Sequence, residues 1–162
     1  MKESLRTGMS FGLTSGIITT LGLLVGLHAG THSKPVVIGG ILTIAIADSL
    51  SDALGIHISQ ESQNRHNTQE VWESTFATFT TKIIIALTFL LPILLLPNAI
   101  AITVSVTWGL FLLVALNLYL AHVRQEQPWR IVVEHLVIAS LVIGIAYLVG
   151  VWIETQLLEV SS

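Results

Sequence analysis

Ala47-Asp-Ser-Leu-Ser-Asp-Ala-Leu-Gly-Ile-His-Ile-Ser59 closes an apolar run that begins near Val36. The run can cross a bilayer, for which about 20 residues suffice. Two acids, Asp48 and Asp52, lie inside it. Four residues apart, they share one helix face, one turn from each other. Ser51, Gly55 and Ser59 fall on or near that side. Carboxylates at such depth are costly and are kept where they face a bundle interior, an ion path or a partner charge.

The rest of the chain agrees with a membrane setting. Of its 162 residues, 52% are hydrophobic and 10% are charged, and the mean hydropathy is +0.80. Soluble domains carry about 25% charge. The net charge is −3, and no basic patch marks a nucleic-acid partner. There is no cysteine, so disulfides and thiolate metal sites are excluded. A metal site here must use oxygen and nitrogen, with Met1 or Met9 as the sole sulfur option. The apolar stretch after the N-terminus is too long, and too rich in Gly and Thr, for a cleaved signal.

Working outward, residues 7–33 and 83–123 contain no Lys, Arg, Asp or Glu. The first stretch holds one span and the second holds two, divided at Pro97-Asn98. The expected spans are 9–27, 36–58, 76–96, 99–121 and 131–152, making one all-α domain of five transmembrane helices. Pro92 is expected to kink the third, and Trp129 and Trp152 to anchor the fifth at the interfaces. Gln60–Ser74 reads as a helical extension of span two into water, followed by a return. In span one, Gly12, Gly16, Gly22 and Gly26 form two Gly-x-x-x-Gly pairs, a pattern that permits close helix approach. The favoured partner for that face is a second copy, giving a homodimer in the lipid bilayer. Five spans put Lys2, Arg6, Arg65, Arg124 and Arg130 on one side and Lys34 on the other. The positive-inside rule then places the N-terminus in the cytoplasm and the C-terminus outside.

Depth along the helices, at about 1.5 Å per residue, brings polar groups of several spans together. Lys82 in span three comes out level with Asp52, and so do Thr14 and Ser15 in span one. Glu134 and His135 lie somewhat nearer the cytoplasm. Two readings stay open. In one, Asp48, Asp52 and Glu134 hold a divalent cation of the Fe²⁺, Mn²⁺, Ca²⁺ or Mg²⁺ kind, with His57 or His135 adding nitrogen. Thr14, Ser15 and Thr19 then line its path, and Lys82 is the counter-charge. In the other, Asp52 and Lys82 form a structural salt bridge that pins two helices, and the chain is a membrane scaffold or regulator. Glu61, His66, Glu70 and Glu73 either gather cations at the cytoplasmic entrance or form a solvated loop. His28 and His32, four apart, are a weaker metal pair on the outer side. No His-x-x-Glu-His, Gly-x-Ser-x-Gly or cysteine nucleophile suggests an enzyme.

Phe11-Gly-Leu-Thr-Ser-Gly-Ile-Ile-Thr-Thr20 resembles the first-helix signature of the vacuolar iron transporter family, aromatic-Gly-x-Asn-Asp-Gly-hydrophobic-hydrophobic-Thr-Thr. Residues 47–63 are similar to its second-helix signature, Ala-Asp-Gly-x-Ser-Met-Ala-x-Gly-x-aromatic-x-Ser-x-x-Ser. The Pro-containing third helix and Ala146-Tyr-Leu-Val-Gly150 also fit. The resemblance implies five helices, a cytoplasmic N-terminus and a homodimer with a path between its first helices. It also implies export of Fe²⁺ or Mn²⁺ as transported substrate, typically in exchange for protons. Four departures stand out. The family's first-helix Asp falls on Ser15, and its second-helix Met falls on Asp52. The long insert after helix two is missing, and Lys82 adds a positive charge. A short chain without that insert points to a prokaryotic cell membrane.

Overall fold

The computed structural model describes residues 2–63, 67–125 and 127–161. Their secondary structure is helical throughout: α1 (Glu3–Thr31), α2 (Lys34–Ser62), α3 (Thr68–Thr88), α4 (Leu90–Leu95), α5 (Asn98–Arg124) and α6 (Pro128–Ser161). Taking α3 and α4 as one interrupted span, five helices are long and apolar enough to cross a membrane. A 29-residue helix such as α1 is about 44 Å long, more than the roughly 30 Å of hydrocarbon it must cross.

Local chemistry sets the ends. His32 takes a left-handed conformation, φ 50°, and its N–H returns to the His28 carbonyl at 2.9 Å. Pro35 sits in the first turn of α2 and Pro128 at the start of α6, where a missing N–H costs nothing. Asn67 opens α3 with a reciprocal capping box: its side chain accepts from the Glu70 N–H while Glu70 accepts from the Asn67 N–H. The break at Phe89 follows from Pro92, which has no N–H for the Thr88 carbonyl. Lys34 Nζ donates to the carbonyls of Leu94 and Leu96 at the far end of α4, both at 3.2 Å.

The first helix is the centre of the bundle and packs against α2, α3, α5 and α6. Ile17, Leu21 and Leu24 of α1 meet Val37, Ile41, Ile85, Phe89 and Leu113 in the apolar core. Two seams of small residues hold α1 in place. Along α3, Ser74 Oγ donates to the Ser4 carbonyl at 2.8 Å, and Thr78 Oγ1 to the Gly8 carbonyl at 3.1 Å. A Cβ on Gly12 would stand 2.6 Å from the Thr78 carbonyl oxygen. Along α6, Gly22 faces Val142, Gly26 faces Ala146 and Gly30 faces Gly150. Both Gly-x-x-x-Gly pairs are thus filled by the chain's own α3 and α6. The glycines expected to face a second copy therefore face α3 and α6 of the same chain. Their spacing signals close approach but does not name the partner. On α2, by contrast, Gly39, Thr43, Ala47, Ser51, Gly55 and Ser59 recur every fourth residue and all are exposed.

Candidate ion site

Three helices meet where the α1–α3 seam runs up to Lys82. Lys82 follows Ser74 and Thr78 at four-residue steps, and its side chain is 2% exposed. Its ammonium donates to Ser15 Oγ of α1 at 2.9 Å and to Asp52 Oδ2 of α2. Asp48 Oδ2 stands 2.6 Å from the same nitrogen, within ion-pair range but outside hydrogen-bond alignment, so that oxygen has no hydrogen-bond partner. Ser15 Oγ donates in turn to Asp52 Oδ2 at 2.5 Å. Two carboxyl groups thus face one amine.

The cluster is open on one side. Asp48, 31% exposed, lines a groove of about 730 Å³ between α1, α2 and α6, with Thr19, Leu23, Ala47, Val142 and Ala146 among its walls. Thr19 Oγ1 donates to the Ser15 carbonyl at 2.9 Å, which ties the groove wall to the cluster. The hydroxyl therefore keeps a lone pair for the groove.

The other expected site residues lie apart from this group. Thr14 is half-buried on α1, and no contact links it to the acids. Glu134 is exposed and lines a second cavity of about 620 Å³ at the α5–α6 turn, with Gln125, Gln127 and Arg130. Its depth along the helix was legible, but it faces away from the acids. His57 Nδ1 meets Thr75 Oγ1 at 2.9 Å. Because Thr75 donates to the Val71 carbonyl, the His57 nitrogen acts as the donor. His135 Nδ1 is 2.9 Å from the Ile131 carbonyl. Glu73 accepts from Lys2 at 2.5 Å, Ser4 at 2.7 Å and Gln69 at 2.8 Å, binding the start of α1 to α3. Glu70 belongs to the capping box, Glu61 is exposed on the last turn of α2, and His66 lies outside the described residues. At the opposite end, the His28 and His32 rings are 5.4 Å apart and His32 Nδ1 is 3.4 Å from Glu154. Among the described residues, no group of three His, Cys, Asp or Glu side chains is arranged to hold a metal. The acids at the centre count two, and the third and fourth polar partners are Ser15 and Lys82.

Sequence reasoning paired Lys82 with Asp52 but not with Asp48, although acids one turn apart face the same partner. It missed the α6 wall of the groove, for which no charged residue supplied a signal.

Five helices long and apolar enough to cross a membrane, three of them joined by a charged cluster, define an integral membrane protein. More narrowly, residues 8–73 match the model of the VIT family, the vacuolar iron transporters, and in that segment the chain is similar to that family. These are transporters rather than enzymes, and their class of activity is metal-ion transport. The matched segment covers α1 from Gly8 onward, α2 and the first turns of α3, so it includes Ser15, Asp48 and Asp52 and stops before Lys82. No curated protein and no solved structure gives a match.

Proposed function

We propose that this protein carries divalent cations of the Fe²⁺ or Mn²⁺ type out of the cytoplasm, in exchange for protons, with Asp48 and Asp52 as the cation-binding groups. The observation that supports this most directly is Asp48, which lines a membrane groove and shares the Lys82 amine with Asp52. Hard oxygens from Asp48, Asp52 and Ser15 suit such ions, and Thr19 lines the approach. The N-terminus is cytoplasmic, because Lys2, Arg6 and Arg130 lie at that end. The membrane is a prokaryotic cell membrane. Two copies join across the groove, where Thr19 and Leu23 of α1 are left uncovered by α2 and α6. Glu134, with Glu61, Glu70 and Glu73, lies at the cytoplasmic end, where acids concentrate cations near the mouth.

The experiment is Mn²⁺ uptake into proteoliposomes by wild type, Asp48→Asn and Asp52→Asn. Loss of transport in both variants is expected, at least tenfold in each, an effect of about 1.4 kcal/mol or more. Full transport in both removes the acids from the mechanism. That outcome favours the second reading, a scaffold in which Lys82, hydrogen-bonded to both Asp52 and Ser15, is purely structural.

A further inference from the structure

Lys82 occupies the centre of the oxygen set that a cation would use. An ammonium has three N–H donors. Around Nζ lie Ser15 Oγ at 2.9 Å, Asp52 Oδ2, and Asp48 Oδ2 at 2.6 Å. A divalent ion takes oxygens at about 2.0–2.6 Å, so it and the ammonium compete for one place. The lysine stem lies against α1 beside Ile85: a Cβ on Gly16 would stand 2.3 Å from Ile85 Cγ2 and 3.2 Å from Lys82 Cγ. The grip on the three oxygens is uneven. Asp52 and Ser15 are hydrogen-bonded to Lys82 and to each other. Asp48 faces the ammonium without an aligned hydrogen bond and also faces the groove.

We propose that Lys82 is a tethered occupant of the ion site: its ammonium fills the oxygen set in the absence of cargo and yields it, Asp48 first, to a divalent cation arriving through the groove between α1, α2 and α6. This rests on the reading of the acids as a cation site. The site then never presents bare carboxylates to the membrane interior, where unpaired charge is costly. A resident of single charge also sets the selectivity. An ion of charge two outbids it for a pair of carboxylates, and an ion of charge one does not. Competition lowers the affinity for cargo and so favours its release on the far side.

The test measures Mn²⁺ binding calorimetrically on detergent-solubilised full-length protein, with no other ligand. Lys82→Met keeps the stem and removes the charge. It is expected to bind Mn²⁺ on the order of tenfold more tightly than wild type. Adding Asp52→Asn to Lys82→Met is expected to abolish the gain. Equal affinity in wild type and Lys82→Met, or a gain that survives Asp52→Asn, overturns the tethered-occupant assignment while leaving the protein a cation binder. No binding in either protein overturns the cation-site reading and this inference with it. A second measurement needs no variant. Reductive methylation of wild-type protein, read by mass spectrometry at Lys82, is expected to rise when Mn²⁺ displaces the amine. If Mn²⁺ binds and labelling at Lys82 does not change, the inference fails even where Lys82→Met does not fold.

Discussion

Ser15 has the smallest polar group in the cluster and uses it twice, accepting from Lys82 and donating to Asp52. Hydrogen bonds to charged groups contribute about 1.5–3 kcal/mol each, and an unsatisfied buried partner adds to the loss. Ser15→Ala is therefore expected to destabilise the detergent-solubilised protein by about 1–3 kcal/mol, read as a lower melting temperature. Asp52→Asn should lower it further than Asp48→Asn, since Asp52 holds two hydrogen bonds in the cluster and Asp48 none. An equal or reversed order would contradict the unequal grip described above. The meeting of Lys82 and Asp52 was legible by counting helix rise from opposite directions, because depth is fixed by residue number. Glu134 was not, because depth says nothing of the direction a side chain takes about the helix axis. That direction depends on α6 docking with Val142 and Ala146 toward α1.

At the scale of the helix, glycine has opposite meanings in different places. Gly12→Ala would force the Thr78 backbone away and open the α1–α3 seam, and is expected to destabilise the fold by more than about 1 kcal/mol, on the order of overpacking penalties. A Cβ added at Gly144 would meet nothing within 4 Å. Gly144→Ala should stabilise α6 by about 0.5–1 kcal/mol, the intrinsic helix preference of alanine. Thermal unfolding of the two variants side by side checks the contrast. The span count was legible from two charge-free runs and from Pro97. The break at Phe89 was legible from Pro92 as a kink, although not its displacement from the proline toward the N-terminus. The capping box is spelled out as Asn67-x-x-Glu70, but a stretch so polar reads equally well as loop or as helix extension, and the pattern alone does not choose. The partners of the glycine seams were not legible, since close approach is encoded in one helix and its target in another.

For the molecule as a whole, the exposed strip of small residues on α2 lies beside the groove. In the proposed homodimer Ala47, which is exposed and lines that groove, approaches its copy. Ala47→Trp is expected to convert dimer to monomer in detergent, measured by light scattering after size-exclusion chromatography, with melting of the monomer little changed. A wild-type protein that is already monomeric, or a variant that stays dimeric, would rule out this face.

The central position of α1 has a consequence for biosynthesis. Chains emerge from the ribosome N-terminal end first, so the helix that every other span is built around enters the membrane before any of them exists. Its bond to α3 waits for residues far along the chain, as with Ser4 and Ser74. Its bare glycines toward α6 wait for almost the entire chain. Until then the nascent helix carries two smooth, side-chain-free strips in lipid, and a ribosome stalled before Pro128 leaves one of them open to whatever neighbouring helix drifts past.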